Sequence, residues 1–247
     1  MVDDPRERGP DAPGGAAVFG PIRPNRGAVR TIGHRGCADE FPENTVAAIE
    51  GSASHVDMFE IDVQACGTGE LVVFHDETLE RVTDATGRVG DTPFGELREL
   101  EVLDSGEPIP TLAELLAAVP PEIPVNVELK GTGIAGEVLE VCRGSDVDVL
   151  YSSFFESEIR TVRALDESAP VGVLCHESPE TCLELAAELD AVAVHPPTEM
   201  ALETDFVDAA HERGLAVYAW VANAEAEIRG LRDRGVDGIF TDRCDAA

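Results

Sequence analysis

The sequence predicts an α/β protein folded as a (β/α)8 barrel of the TIM type, and three observations predict it. Eight short β-branched runs alternate with amphipathic stretches of helical period. The chain has 247 residues, close to the usual length of one such barrel. Polar and charged residues recur at the C-terminal ends of the apolar runs, where a barrel of parallel strands gathers its functional groups.

Residues 1–28 are rich in Pro, Gly, Arg and Asp and lack periodicity, which predicts a flexible N-terminal extension. Residues 29–247 predict one barrel domain. Its first strand is Val29–Gly33 and its first helix Asn44–Ala53, with Asn44 most simply the N-cap and a supporting role at the site also open. Asp57–Val63 is the second strand. An extra apolar run, Leu71–Phe74, follows, and then a polar stretch over 76–110 that is too long for an ordinary connection. It predicts a small insertion after the second strand region.

From there the alternation is regular. Strands are expected at Val125–Leu129, Asp148–Ser152, Val171–Leu174, Ala191–Val194, Ala216–Trp220 and Gly238–Phe240. Helices are expected at Leu112–Ala118, Gly136–Cys142, Glu156–Leu165, Pro179–Leu189, Asp205–Arg213 and Ala224–Arg234. So little chain follows the eighth strand that the last helix is expected to be missing or vestigial.

Composition narrows the function classes. There are 49 acidic residues against 18 basic ones, a net charge of −31. Such a surface repels nucleic acid and anionic lipid headgroups, so neither is an expected partner. Acidic residues dispersed along the chain, with few lysines, fit a halophilic cytoplasm in which salt screens self-repulsion. No apolar run approaches the roughly 18–20 residues that span a bilayer. The N-terminus has no apolar segment of secretory type, so the expected location is the cytoplasm. The six cysteines form no CxxC or Cys/His pattern, which argues against a disulfide framework and a zinc site. Oligomeric state is not legible.

Glu60 and Asp62 are two residues apart on one expected strand, so both point to the same side while Ile61 faces the other. Glu128 and Lys130 repeat that spacing on the third. Three carboxylates brought together need a cation or neighbouring positive charge. An all-oxygen set suits a hard divalent cation, Mg²⁺ or Ca²⁺. Histidines His34 and His75 each stand at a strand end, which offers an acid and a base near ~6.5. Arg35, beside His34, has the geometry to clamp a phosphate. The remaining histidines, His55, His176, His195 and His211, read as structural. Lys130 is the single lysine against 17 arginines, and it falls at this site.

The segments carrying these residues resemble the glycerophosphodiester phosphodiesterase family, within the PLC-like phosphodiesterase superfamily. They are His34-Arg35-Gly36, Pro42-Glu43-Asn44-Thr45, Glu60-x-Asp62 and Val72 to Thr83 with His75-Asp76 at its centre. Glu128-Leu129-Lys130, Trp220 to Asn223 and Gly235 to Asp242 complete the set. The resemblance implies a metal-dependent phosphodiesterase that releases glycerol 3-phosphate and an alcohol from a small glycerophosphodiester. It implies His34 and His75 as the acid/base pair and Glu60, Asp62 and Glu128 as metal ligands. Arg35 and Lys130 would then hold the phosphate, and Trp220 would wall the alcohol or glycerol moiety. It also implies that the insertion lies near the mouth of the site. Two segments depart from the family pattern: Ala65-Cys66-Gly67-Thr68-Gly69 replaces Thr-x-Asp-Gly, and Trp220-Val221-Ala222-Asn223 replaces Trp-Thr-Val-Asn.

Three other readings compete. One is a lysophospholipase D-like activity on lipid phosphodiesters. A second is a Schiff-base aldolase using Lys130, and a third a non-catalytic barrel that binds such ligands.

Overall fold

The computed structural model describes residues 29–176 and 178–244. The expected N-terminal extension, residues 1–28, lies outside them. The strands are β1 (Arg30–Gly33), β2 (Met58–Ala65), β3 (Leu71–Val73), β4 (Val125–Leu129) and β5 (Val149–Ser152), followed by β6 (Gly172–Leu174), β7 (Ala193–His195), β8 (Ala216–Ala219) and β9 (Gly238–Thr241). The helices are α1 (Val46–Ser52), α2 (Phe94–Leu97), α3 (Leu112–Ala118), α4 (Ala135–Arg143) and α5 (Glu156–Leu165), followed by α6 (Pro179–Glu188), α7 (Thr198–Glu203), α8 (Phe206–His211) and α9 (Glu225–Arg234).

Eight strands are parallel and run in the order β5-β4-β2-β1-β9-β8-β7-β6. A parallel bridge between Tyr151 and Val171 joins the two ends. There the Tyr151 N–H donates to the Pro170 carbonyl at 3.0 Å, which closes the barrel. Alternation along each strand then sorts the side chains. Ile61, Val63, Val127 and Leu129 face outward into the main core under the helices. Ile32, Met58, Leu150, Ala193, Tyr218 and Phe240 fill the barrel interior below the mouth. The acidic residues of β2 and β4 lie on that inner side, and the register sets Asp62 directly opposite Glu128 and Glu60 opposite Asn126.

The insertion carries more structure than its polarity suggested. β3 pairs antiparallel with β2, and Phe74, Leu79, Val82, Val89, Leu97, Val102 and Ile109 form a separate small core with Val72. These apolar residues are too widely spaced to show a period, so only the tertiary path brings them together. α2 and α7 were not foreseen, for the same reason of shortness. No α-helix follows β9 among the described residues.

Two expectations are corrected. Asn44 does not cap α1: the cap is Thr45, whose Oγ1 accepts from the Ala48 N–H at 3.2 Å. Asn44 instead takes a left-handed backbone (φ 58°) that turns its amide toward β2. The cysteines do form bridges, Cys37–Cys244 and Cys175–Cys182, while Cys66 and Cys142 are buried thiols. A pairing across 207 residues has no signature in local spacing. Among the described residues no helix is long and apolar enough to cross a membrane.

Candidate active site

At the C-terminal ends of the strands a cavity of about 140 Å³ opens to solvent. His34, Arg35, Glu60, Asp62, His75, Glu128, Lys130 and Trp220 all line it. The turn after β1 positions the first two. Arg35 has φ 53° and Gly36 has φ 78°. A Cβ on Gly36 would lie 2.7 Å from that of Ala48, so only glycine fits there. This turn aims the Arg35 N–H at Glu60 Oε2, 3.0 Å away.

Glu60, Asp62 and Glu128 each present an oxygen, all within 4.8 Å of one another. Asp62 is fixed most firmly. Its Oδ2 accepts from the Asn44 amide at 2.9 Å, and its own N–H donates to Asn44 Oδ1 at 3.3 Å. The Arg35 guanidinium lies 3.3 Å from its Oδ2 and Lys130 Nζ 3.7 Å from its Oδ1. Burial works against ionising Asp62, yet Lys130 and Arg35 outweigh it and hold its pKa below the usual carboxylate range. Glu60 behaves oppositely: burial, then repulsion from Asp62 and Glu128, drives its pKa well up. Burial and Asp62 also raise Glu128. Glu60 Oε1 is buried with no partner among the described residues. Hard oxygen donors, mutual repulsion and an orphaned carboxylate oxygen together fit a divalent cation.

Each histidine is oriented by a carboxylate. His34 Nδ1 lies 2.6 Å from Asp242 Oδ1, and Asp242 is itself held by the Asn223 side chain at 2.7 Å. His75 Nδ1 lies 2.5 Å from Asp76 Oδ1, and Arg81 bridges Asp76 (2.6 Å) to Glu43 (2.6 Å). A carboxylate only accepts, so Nδ1 carries the proton in both rings and Nε2 is left to act. Burial lowers the His75 pKa from its ordinary value. Asp76 is partly buried, which opposes ionisation, but hydrogen bonds from Arg81 and His75 bring it down to about 2.

Lys130 Nζ donates to Glu128 Oε1 at 2.8 Å. Burial favours the neutral amine, but Asp62 and Glu128 prevail and raise its pKa. A lysine held protonated is a poor Schiff-base nucleophile, which weighs against the aldolase reading. The Trp220 indole donates to the His195 carbonyl at 2.7 Å and meets the Phe154 ring edge-on at 5.6 Å.

All eight lining residues singled out in the sequence therefore meet at one mouth, with Asn44 bonded to Asp62 behind them. Asp76, Asp242, Asn126 and Phe154 carried no role of their own, and His195 was read as structural. The adjacency His75-Asp76 was a signal for the first. Asp242 stood only inside a motif, because its partner is 208 residues away.

Comparison with known proteins agrees with this barrel. The model of the glycerophosphoryl diester phosphodiesterase family matches residues 34–246. A glycerophosphodiester phosphodiesterase of Bacillus altitudinis is 32% identical over 238 residues, covering 88% of this chain and 96% of that one. One of Caldanaerobacter subterraneus subsp. tengcongensis is 29% identical over 226 residues, with 85% and 93% covered. The solved structure of an Oleispira antarctica phosphodiesterase in complex with the product sn-glycerol-3-phosphate superposes with a TM-score of 0.80 at 28% identity, covering 86% of this chain and 92% of that one. Fold and site define a phosphodiesterase built on a TIM barrel. The chain belongs to the glycerophosphoryl diester phosphodiesterase family.

Proposed function

We propose that this chain hydrolyses glycerophosphodiesters to glycerol 3-phosphate and an alcohol, by paired histidine catalysis beside a divalent cation. One observation carries the reading: two Asp-oriented histidines and a three-carboxylate cluster share one small cavity. Glu60, Asp62 and Glu128 would hold the cation, Mg²⁺ or Ca²⁺, which when bound supplies positive charge against the phosphoryl oxygens. Arg35 and Lys130 add fixed positive charge where negative charge builds during displacement. One histidine Nε2 takes the proton of the attacking hydroxyl as the new P–O bond forms. The other protonates the departing alkoxide as the old P–O bond breaks, so no charged alcohol leaves. Asp242 and Asp76 keep the two rings in the required tautomer. Trp220 and Phe154 give the alcohol or glycerol moiety an apolar wall.

The test is release of glycerol 3-phosphate from glycerophosphodiesters in molar KCl, with and without EDTA. That medium follows from the acidic composition, which we read as halophilic. Full turnover after exhaustive chelation removes the cation from the mechanism. Absence of release, with cation present and the fold intact, removes the activity.

A lipid-directed second reading rests on Phe154 and Phe155, which stand exposed beside the mouth. A lysophosphatidylcholine cleaved faster than glycerophosphocholine would favour it. The cytoplasm remains the proposed location, and the two disulfides are the feature that opposes it, since such bridges persist mainly in oxidising compartments.

A further inference from the structure

Level with Glu60 and below Asp62 and Glu128, the cavity is lined by Asn126, and His195 lines the same cavity; the reaction above uses neither. Asn126 lies two residues before Glu128 on β4, on the same inner side and one layer deeper. Its Nδ2 donates to Ser152 Oγ at 3.0 Å. Its Oδ1 is buried and unpartnered among the described residues. His195, the last residue of β7, is fully buried, and neither ring nitrogen has a partner among the described residues.

The His195 ring is set in place by aromatic neighbours, Tyr218 at 5.6 Å and Phe240 at 5.2 Å between ring centres. Opposite it the sequence has Gly172, where a Cβ would meet Nε2 at 2.6 Å, so the strand leaves space for the imidazole. Burial pushes the His195 pKa down to about 3, and the ring is neutral near pH 7. A neutral ring offers one N–H donor and one acceptor, and Asn126 Oδ1 offers a second acceptor. Buried polar groups are normally satisfied, and a set left open toward a cavity points to something that enters it.

We propose that Asn126 and His195 form the subsite for the free hydroxyl groups of a polyol phosphate substrate of glycerol type. The inference rests on the phosphodiesterase reading and names the part of the substrate this floor recognises. Chemistry selects the class. A hydroxyl both donates and accepts, which matches the donor and two acceptors. A phosphate finds its positive charge higher up, at Arg35 and Lys130, and would face a lone pair at Asn126. An alkyl chain would leave every one of these groups unsatisfied. The cavity, at about 140 Å³, holds far more than one water molecule.

The test compares sn-glycero-3-phosphocholine with its analogue lacking both hydroxyls, propylphosphocholine, in wild type and His195→Phe. Removing the imidazole donor should reduce the preference for the glycerol substrate about tenfold or more. His195→Gln, which keeps a donor and an acceptor, should restore part of it. An unchanged preference overturns the proposal, whether both rates fall together or neither moves. The binding of sn-glycerol 3-phosphate against n-propyl phosphate, measured by calorimetry on wild type and His195→Gln, gives a second readout if the Phe variant does not fold. Equal affinities of wild type for the two phosphates again overturn it. Should wild type cleave neither diester, the proposed activity falls, and the calorimetry still decides the subsite.

Discussion

His34 Nδ1 and Asp242 Oδ1 lie 2.6 Å apart although 208 residues separate them in the chain. β1 and β9 are neighbours in the closed sheet, with Gly33 opposite Thr241, and this register brings the two side chains together. In the same cavity, His75 and Asp76 achieve the same contact between adjacent residues.

The two dyads serve one displacement, so removing either histidine should cost roughly 10²–10⁴-fold in kcat. Asp242→Asn should also lower kcat, by up to about 10⁴-fold, because it keeps the ring but releases it to the wrong tautomer. In the double mutant of His34 and His75 the losses should not multiply. Steady-state kinetics of the three variants and the double decide this. A single histidine variant that keeps wild-type activity dissolves the pairing.

Cation binding should stabilise the fold, and more so at higher pH. Burial and the Asp62 and Glu128 charges raise the Glu60 pKa, so the folded chain binds a proton there that the unfolded chain has released. Below the unfolded value, about 4.5, both states are protonated and this contribution is fully present. It is lost as pH rises through the folded value. A cation replaces that proton, so the difference in Tm between cation-loaded and chelated protein should widen from pH 5 to pH 8. A difference that is zero, or flat across that range, contradicts the site.

Much of this mouth was legible because alternation along a strand is a strict rule. Glu60 and Asp62 had to share a face, and Ile61 had to face the core. Strand ends in a barrel had to converge, which placed His34 and Lys130 together; His75 instead follows β3, which runs antiparallel off the barrel and brings it back to the same cavity. What sequence could not supply was layer depth and partnership across the closed sheet. His195 read as a structural histidine since nothing local shows that β7 ends with its ring under the mouth. Asn126 drew no reading of its own inside the strand Val125–Leu129, although it sits two residues before Glu128. Asn44 was the cap expected from sequence, and the left-handed turn at Asn44 moves the cap one residue on, to Thr45.

The Cys37–Cys244 bridge fastens the turn after His34 to the segment after Asp242, so it braces the dyad from behind. Closing a loop of 207 residues restricts the unfolded chain by on the order of 5 kcal/mol in the chain-entropy view. For a domain of this size that corresponds to a fall in Tm of roughly 10 °C or more on reduction. Cys37→Ala combined with Cys244→Ala keeps the Cys175–Cys182 bridge, so it should melt well below oxidised wild type but no lower than the reduced protein, and lose kcat through misplacement of His34. Melting curves with and without reductant test it. If wild type melts identically in both, the bridge contributes nothing to the fold.

Lys130→Arg should not be a conservative change. The ammonium is packed among Glu128 Oε1 at 2.8 Å, Asp62 Oδ1 at 3.7 Å and the Phe154 ring at 5.7 Å from its centre. A guanidinium is planar, wider and two-pronged, and it prefers to grip a carboxylate through both arms. Here it would either draw Glu128 away from the other two carboxylates or overreach toward the phosphate. The charge is unchanged, so any loss reports geometry. A misplacement of about 1 Å at a catalytic group can cost on the order of 10²-fold. We expect kcat/KM to fall at least about tenfold with the melting temperature close to wild type; cation affinity falls as well where Glu128 is drawn away, and holds where the guanidinium overreaches toward the phosphate. The chain has 17 arginines and this one lysine. Wild-type kinetics in the variant would mean that the position asks only for positive charge.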